Sequence, residues 1–270
     1  MGIGMGTEGD KLNNIRFADD TVLMAQSRKE LQEMVNEFQE KSEKSDQIIN
    51  TNKTKLLSND PNKEKIHIEE IEIEIVEEAI SLGQVIALED RLDKEISHRI
   101  AQGWKNVWSL KYIYKSKLPV KFKSKILDSC TLPALMYGSQ TWAPTEAQLD
   151  RFRRTQLAME RSLIGIKRRD KIRNKVVREK IANRDIRYMI KKQKLRYAGH
   201  ISRKGNNGWE QKLLNWTPYG HKRGRGRPKI RWRDEIRNHV GLVWQRDAKD
   251  RTHWEMIGEA YAQRWAEYKI

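Results

Sequence analysis

A chain of 270 residues has room for a sizeable core, yet 37% of it is hydrophobic against 34% charged, which predicts elongated helical parts rather than one globule. Its single cysteine, Cys130, excludes a disulfide partner within the chain, and the lack of any run of 18 apolar residues argues against a membrane span. The net charge of +17 is unevenly placed: residues 1–100 hold 13 Lys and Arg against 22 Asp and Glu, and residues 101–270 hold 41 against 15. That asymmetry, −9 followed by +26, points to a polyanion, and to nucleic acid before a membrane surface, because cationic side chains on phosphates release condensed counterions. Met1-Gly2-Ile3-Gly4 lacks the regions of a signal peptide, so the expectation is a soluble intracellular protein, nuclear, cytoplasmic or both.

In chain order, the first element is a β-hairpin. Asn14 to Ala18 and Thr21 to Ala25 are rich in β-branched and aromatic residues, and the turn between them sets Asp19 beside Asp20. Asp-Asp is a common turn pair; it is also two like charges that become favourable side by side when a divalent, oxygen-seeking cation such as Mg²⁺ sits between them. A helix comes next over about 28–44, with Ser27 and Glu30 at capping-box spacing and Leu31, Met34, Val35 and Phe38 on one face. Ile66, Ile68, Ile71, Ile73 and Ile75 alternate with polar residues and change parity at Glu69-Glu70, which reads as a second hairpin or a bulged strand. A short strand over 80–86 carries Leu82-Gly83-Gln84, where glycine permits a bend or a close backbone approach.

From Asp90 the pattern becomes helical. Leu92, Ile96, Ile100, Trp104, Val107 and Trp108 form a stripe predicted to face the core, with Arg91, Lys94, Arg99 and Lys105 off it. A second helix is expected from about Pro119 to Cys130, stopped by Pro133, and a third from Thr145, whose hydroxyl and Gln148 make another capping box. From Lys167 onward basic runs dominate. Gly205-Asn206-Asn207-Gly208 and the Gly/Arg stretch over 222–229 split two helical pieces, about 183–203 and about 231–269. The fold class is therefore α+β: a small mixed unit over 1–88, a helical bundle over 89–170, and a basic, mostly helical region over 171–270.

Phe17-Ala18-Asp19-Asp20, a helix, Asn50-Thr51-Asn52-Lys53-Thr54, Leu82-Gly83-Gln84 and a helical bundle occur here in that order. The series resembles the reverse transcriptases of non-LTR retrotransposons, from the catalytic hairpin through the end of the palm to the thumb. Leu195 to His200 and Gly226 to Ile236 resemble the C-terminal segments of that class, so the likeness covers nearly the whole chain. It implies an RNA-directed DNA polymerase lineage acting on RNA and DNA with Mg²⁺, in which Asp19 is the principal metal ligand and Asp20 ligates or tunes the field. It also implies that Lys53 lies near the triphosphate and that Leu82, Gly83 and Gln84 grip the primer. Lys53 is equally well an exposed turn lysine.

Two-metal phosphoryl transfer needs a further aspartate on an earlier strand, together with fingers, and only 18 residues precede Asp19. The expectation is a fragment that does not copy RNA by itself and retains nucleic-acid binding; the alternative is a non-enzymatic nucleic-acid-binding protein derived from such an element. Arg223, Arg225, Arg227, Lys229 and Arg231 are the candidate contacts. Arg225-Gly226-Arg227-Pro228 resembles the AT-hook core that enters A·T minor grooves, and it reads equally as a basic linker or nuclear localisation signal. Tryptophans among these arginines suit base stacking, but Trp254, Ile257, Tyr261 and Trp265 fall at helical intervals that suit a core; His200 is assigned a structural role.

Overall fold

Left-handed backbone at the turns builds the first third of the fold. Ala18 (φ 51°), Glu69 (φ 56°) and the pair Leu82 and Gly83 (φ 48° and 73°) each reverse the chain between paired strands. The computed structural model describes residues 5–7, 10–60, 62, 64–204, 208–215 and 231–267. Strands β1 (Met5–Thr7) and β2 (Asp10–Leu12), β3 (Asn14–Phe17) and β4 (Asp20–Leu23), β5 (His67–Ile68) and β6 (Ile71–Glu72), and β7 (Glu78–Ser81) and β8 (Gln84–Ala87) pair antiparallel. Among the described residues each pair is a separate two-stranded ladder. The change of parity at Glu69-Glu70 is thus a hairpin turn. The strand expected over 80–86 is also a hairpin, because two consecutive positive φ values at Leu82 and Gly83 match the twist of antiparallel strands.

Two short ladders have no stable core of their own; here one helix supplies it. Helix α1 (Arg28–Glu43) starts where Ser27 Oγ accepts from Glu30 N at 3.2 Å, and it buries Val35 against Leu56, Ile66, Ile68 and Ile73. The Gln32 side chain extends the β5 edge: its Nε2 donates to His67 O at 2.7 Å and its Oε1 accepts from His67 N at 2.9 Å. A parallel bridge, Leu56 to Ile75, closes the cluster, with Leu56 N on Glu74 O and Val76 N on Leu56 O.

The chain divides into two compact units, and the described residues up to Glu95 belong to the first. The division falls within helix α2 (Arg91–Ser109), whose buried Glu95 accepts from Val85 N at 2.6 Å. The second unit continues with α3 (Lys111–Lys115), α4 (Val120–Ile126), a wider π-type turn over Leu127–Thr131, α5 (Leu132–Leu135) and α6 (Glu146–Leu163). After these come α7 (Asn174–Ile181), α8 (Ile186–Arg203), α9 (Trp209–Asn215), α10 (Trp232–Val240), α11 (Trp244–Asp247) and α12 (Arg251–Glu267), so the helices on both sides of residue 170 share one unit.

Pro133 does not stop the second helix. The π-type turn lets the chain run on, and proline, lacking an N–H, occupies the second position of α5, where none is needed. The single helix expected over 231–269 is three, because Gly241 (φ 116°) ends α10. Thr145 and Gln148 exchange both bonds of their capping box, at 3.3 and 2.8 Å, and α6 then buries Leu149, Phe152, Met159 and Leu163. Gly199 on α8 makes room for α12: a Cβ there would lie 2.4 Å from the Trp254 ring, whose Nε1 donates to Leu195 O at 2.7 Å. Trp254 and Tyr261 are therefore core, as their helical spacing implies. The side chain of Trp265 lies outside the described residues.

Helix α2 departs from its expected face. The buried line is Ile96, Arg99, Gly103 and Val107, spaced three, four and four, with Arg99 over the Tyr137 ring at 4.9 Å. A strict four-residue stripe overshoots a turn by about 40° at each step, so Trp108 stands about 120° around the helix from Ile96. Gly103 fixes which face turns inward, since any Cβ there would meet Leu135 at 2.6 Å. Trp104 is left half-buried and Trp108 exposed.

Candidate catalytic hairpin and nucleic-acid interface

Phe17 pairs with Asp20, so the two-residue turn is Ala18-Asp19 and Asp20 opens β4. Both carboxylates are exposed at the tip, beside Phe17 at 66% exposure. Arg16 lies over the Phe38 ring at 5.4 Å, which ties this hairpin to α1. Among the described residues no three His, Cys, Asp or Glu side chains come together as a metal site. Asp19 and Asp20 are two adjacent oxygen donors, fewer than the donor set that two-metal chemistry requires.

The spacing Asn50-x-x-Lys53-Thr54 has a local cause. Asn50 Oδ1 accepts from Lys53 N at 3.1 Å, while Asn50 O accepts from Thr54 N at 3.0 Å and from Thr54 Oγ1 at 2.9 Å. The asparagine and threonine close the turn and Lys53 points outward, exposed. No ion pair joins Lys53 to either aspartate among the described residues. Leu82 and Gly83 form the exposed tip of their hairpin, and Gln84, half-buried, starts β8 opposite Ser81. The sequence-predicted residues of this unit thus occupy three separate turns.

Of the candidate nucleic-acid contacts, Arg223, Arg225, Arg227 and Lys229 lie outside the described residues, and Arg231 is half-buried at the start of α10. The first turns of α10 serve as scaffold. Arg231 N donates to Asp234 Oδ2 at 3.0 Å and Trp232 Nε1 to Gln140 O at 2.7 Å. Glu235, nearly buried, takes ion pairs from both Lys191 and Lys194; Lys194 Nζ, 2.5 Å from the carboxylate, also lies over the Trp232 ring. Burial pushes the Glu235 carboxyl up, but the two ammonium groups outweigh it and hold it below the usual range; burial likewise draws Lys194 down despite its partner. The basic run Lys191 to Lys194 is therefore split. Lys191 and Lys194 anchor α10, and Lys192 faces outward.

The outward face of α8 carries Lys192, Arg196, His200 and Arg203 at one-turn spacing, all exposed, so His200 is not a core residue. They line a groove of about 770 Å³ between α8 and α12, completed by Arg251 and Trp254. Lys192 pairs with Glu259 at 2.5 Å, Arg251 with Glu255 at 3.3 Å, and Arg203 Nη1 donates to Ala248 O at 2.7 Å. Arg196 has no ion-pair partner among the described residues. Sequence periodicity carries the signal for this stripe, cationic or imidazole side chains spaced four, four and three, but the Gly/Arg run is the more conspicuous basic feature.

No family model matches this sequence, and no solved structure matches it. It is 34% identical over 268 residues to an uncharacterized transposon-derived protein of Caenorhabditis elegans, covering 93% of this chain and 96% of that one. No helix among the described residues is long and apolar enough to cross a membrane. The 270-residue chain therefore belongs to the family of that transposon-derived nematode protein.

Proposed function

We propose that the chain derives from the reverse transcriptase of a non-LTR retrotransposon and binds nucleic acid through its cationic helical unit and Gly/Arg stretch, without extending a primer by itself. The observation that carries this reading is the exposed Asp19-Asp20 tip after Phe17-Ala18, succeeded by a capped helix, the Asn50–Thr54 turn and the Leu82-Gly83 hairpin. Kinship with a transposon-derived protein supports the lineage, and the net +26 of residues 101–270 supports a polyanionic partner. Mg²⁺ belongs to the intact polymerase. In this chain Asp19 and Asp20 would hold it, and its role there is to stabilise the attacking and leaving oxygens of phosphoryl transfer.

The test combines two assays on the purified chain. A primed RNA template with Mg²⁺ and deoxynucleotides is expected to show no extension, and Asp19→Ala is expected to leave RNA–DNA hybrid affinity unchanged. Steady primer extension that Asp19→Ala abolishes would overturn the non-catalytic part. Failure to bind any nucleic acid would overturn the rest.

A further inference from the structure

Residues 96–127 contain eight Lys and Arg and no Asp or Glu. Aromatic side chains stand in the open on the same stretch: Trp108 is 56% exposed, Tyr112 73% and Phe122 55%. They are not scattered. Trp104 stacks on Trp108 with centroids 6.1 Å apart, and Lys111 Nζ lies 5.4 Å above the Trp108 ring. Helical hydrogen bonds run through Leu110, from its N to Asn106 O and from Tyr114 N to its own carbonyl, so positions 104, 108 and 112 succeed one another at one-turn spacing from α2 into α3. Lys105, Lys111 and Lys115 are exposed along the same stretch.

A face that were merely uncovered core would be aliphatic and poor in charge. This one alternates flat π surfaces with ammonium groups, and it faces no carboxylate of its own segment. Duplex nucleic acid offers phosphates but hides its base faces. Unpaired strands offer both, since any base stacks on an aromatic ring while lysines track the backbone. We infer that Trp108 and Tyr112, with Trp104 stacked behind Trp108 and Lys105, Lys111 and Lys115 beside them, form a stacking site for unpaired bases of a single nucleic-acid strand. This deepens the proposed nucleic-acid binding and rests on it, but its residues are other than those of the α8 face and the Gly/Arg stretch.

The experiment measures anisotropy of a labelled oligo(dT) of about 12 nucleotides, and of a blunt RNA–DNA hybrid of the same length, with the full chain. Trp108→Ala and Tyr112→Ala are each expected to weaken oligo(dT) binding about tenfold to a hundredfold and to leave hybrid binding within about twofold, while Trp108→Phe retains most of the affinity. Both side chains are exposed, and unchanged circular dichroism verifies that the variants fold. Oligo(dT) binding that is absent, or indifferent to both substitutions, overturns the stacking site, whereas loss of hybrid binding by the wild-type chain overturns the broader proposal. If Trp108→Ala instead dissociates a dimer seen by sedimentation and oligo(dT) affinity does not change, the face is a protein interface and the inference fails.

Discussion

Glu160 is fully buried on α6, with Arg178 Nε 3.3 Å from its carboxylate and no well-formed hydrogen bond to either oxygen among the described residues. Burial raises its pKa from 4.5 to about 7, with Arg178 opposing. The folded state thus keeps this proton to higher pH than the unfolded chain does, and the group withdraws stability as pH rises from about 4.5 through about 7. Glu160→Gln should flatten that slope and, at pH 8, gain on the order of 3 kcal/mol or less in urea denaturation. Arg178 keeps Asp185 at 3.6 Å and the Gln156 amide oxygen at 3.2 Å, so it is not stranded by the change. Ala18 is the second residue with a clear expectation. Its φ of 51° is left-handed, so Ala18→Gly should stabilise the hairpin by about 0.5–1 kcal/mol in thermal melts while leaving Asp19 and Asp20 in place.

At the scale of elements, α10 is held to α8 by one carboxylate between two nearly buried lysines, with Tyr261 Oη donating to Glu235 at 3.1 Å. Glu235→Ala would remove the carboxylate that both ammonium groups share. The expected cost is about 3–5 kcal/mol, read as a lowered urea midpoint, and Lys191→Met together with Lys194→Met in the Glu235→Ala background should restore much of it. Thr145→Ala should cost about 1 kcal/mol through the lost cap on α6. Elements fixed by neighbours in sequence were legible in it: the caps at Ser27 and Thr145 and the core spacing of Trp254 and Tyr261. The first hairpin was legible too, but its turn lies one residue earlier than expected, at Ala18-Asp19, with Asp20 in the strand. Elements fixed by distant contacts were not. The inward face of α2 is chosen by Gly103 against Leu135, and the continuation of α4 past Pro133 depends on a π-type turn that leaves no mark in periodicity. The α8 lysines show the same limit, because a run of charges does not say which members turn inward to meet a glutamate more than 40 residues away.

For the molecule as a whole, charge divides the chain much as compactness does: the acidic excess lies in residues 1–100 and the basic excess beyond. Repulsion among 41 cations in the second part would be relieved by the phosphate backbone of the proposed partner, each neutralised phosphate releasing counterions. The ladders of the first unit, by contrast, leave Ile15, Phe17 and Ile80 exposed, and each ladder has two strands among the described residues. The proposed nucleic-acid binding is therefore expected of the second unit. The most direct measurement is the affinity of the intact chain for an RNA–DNA hybrid across salt, with Arg196→Ala and Arg225→Ala/Arg227→Ala alongside. Affinity should fall about a thousandfold or more between roughly 50 and 200 mM salt, with a shallower slope in each variant. A slope near zero, or one that both variants leave untouched, would contradict a cationic nucleic-acid interface in this protein.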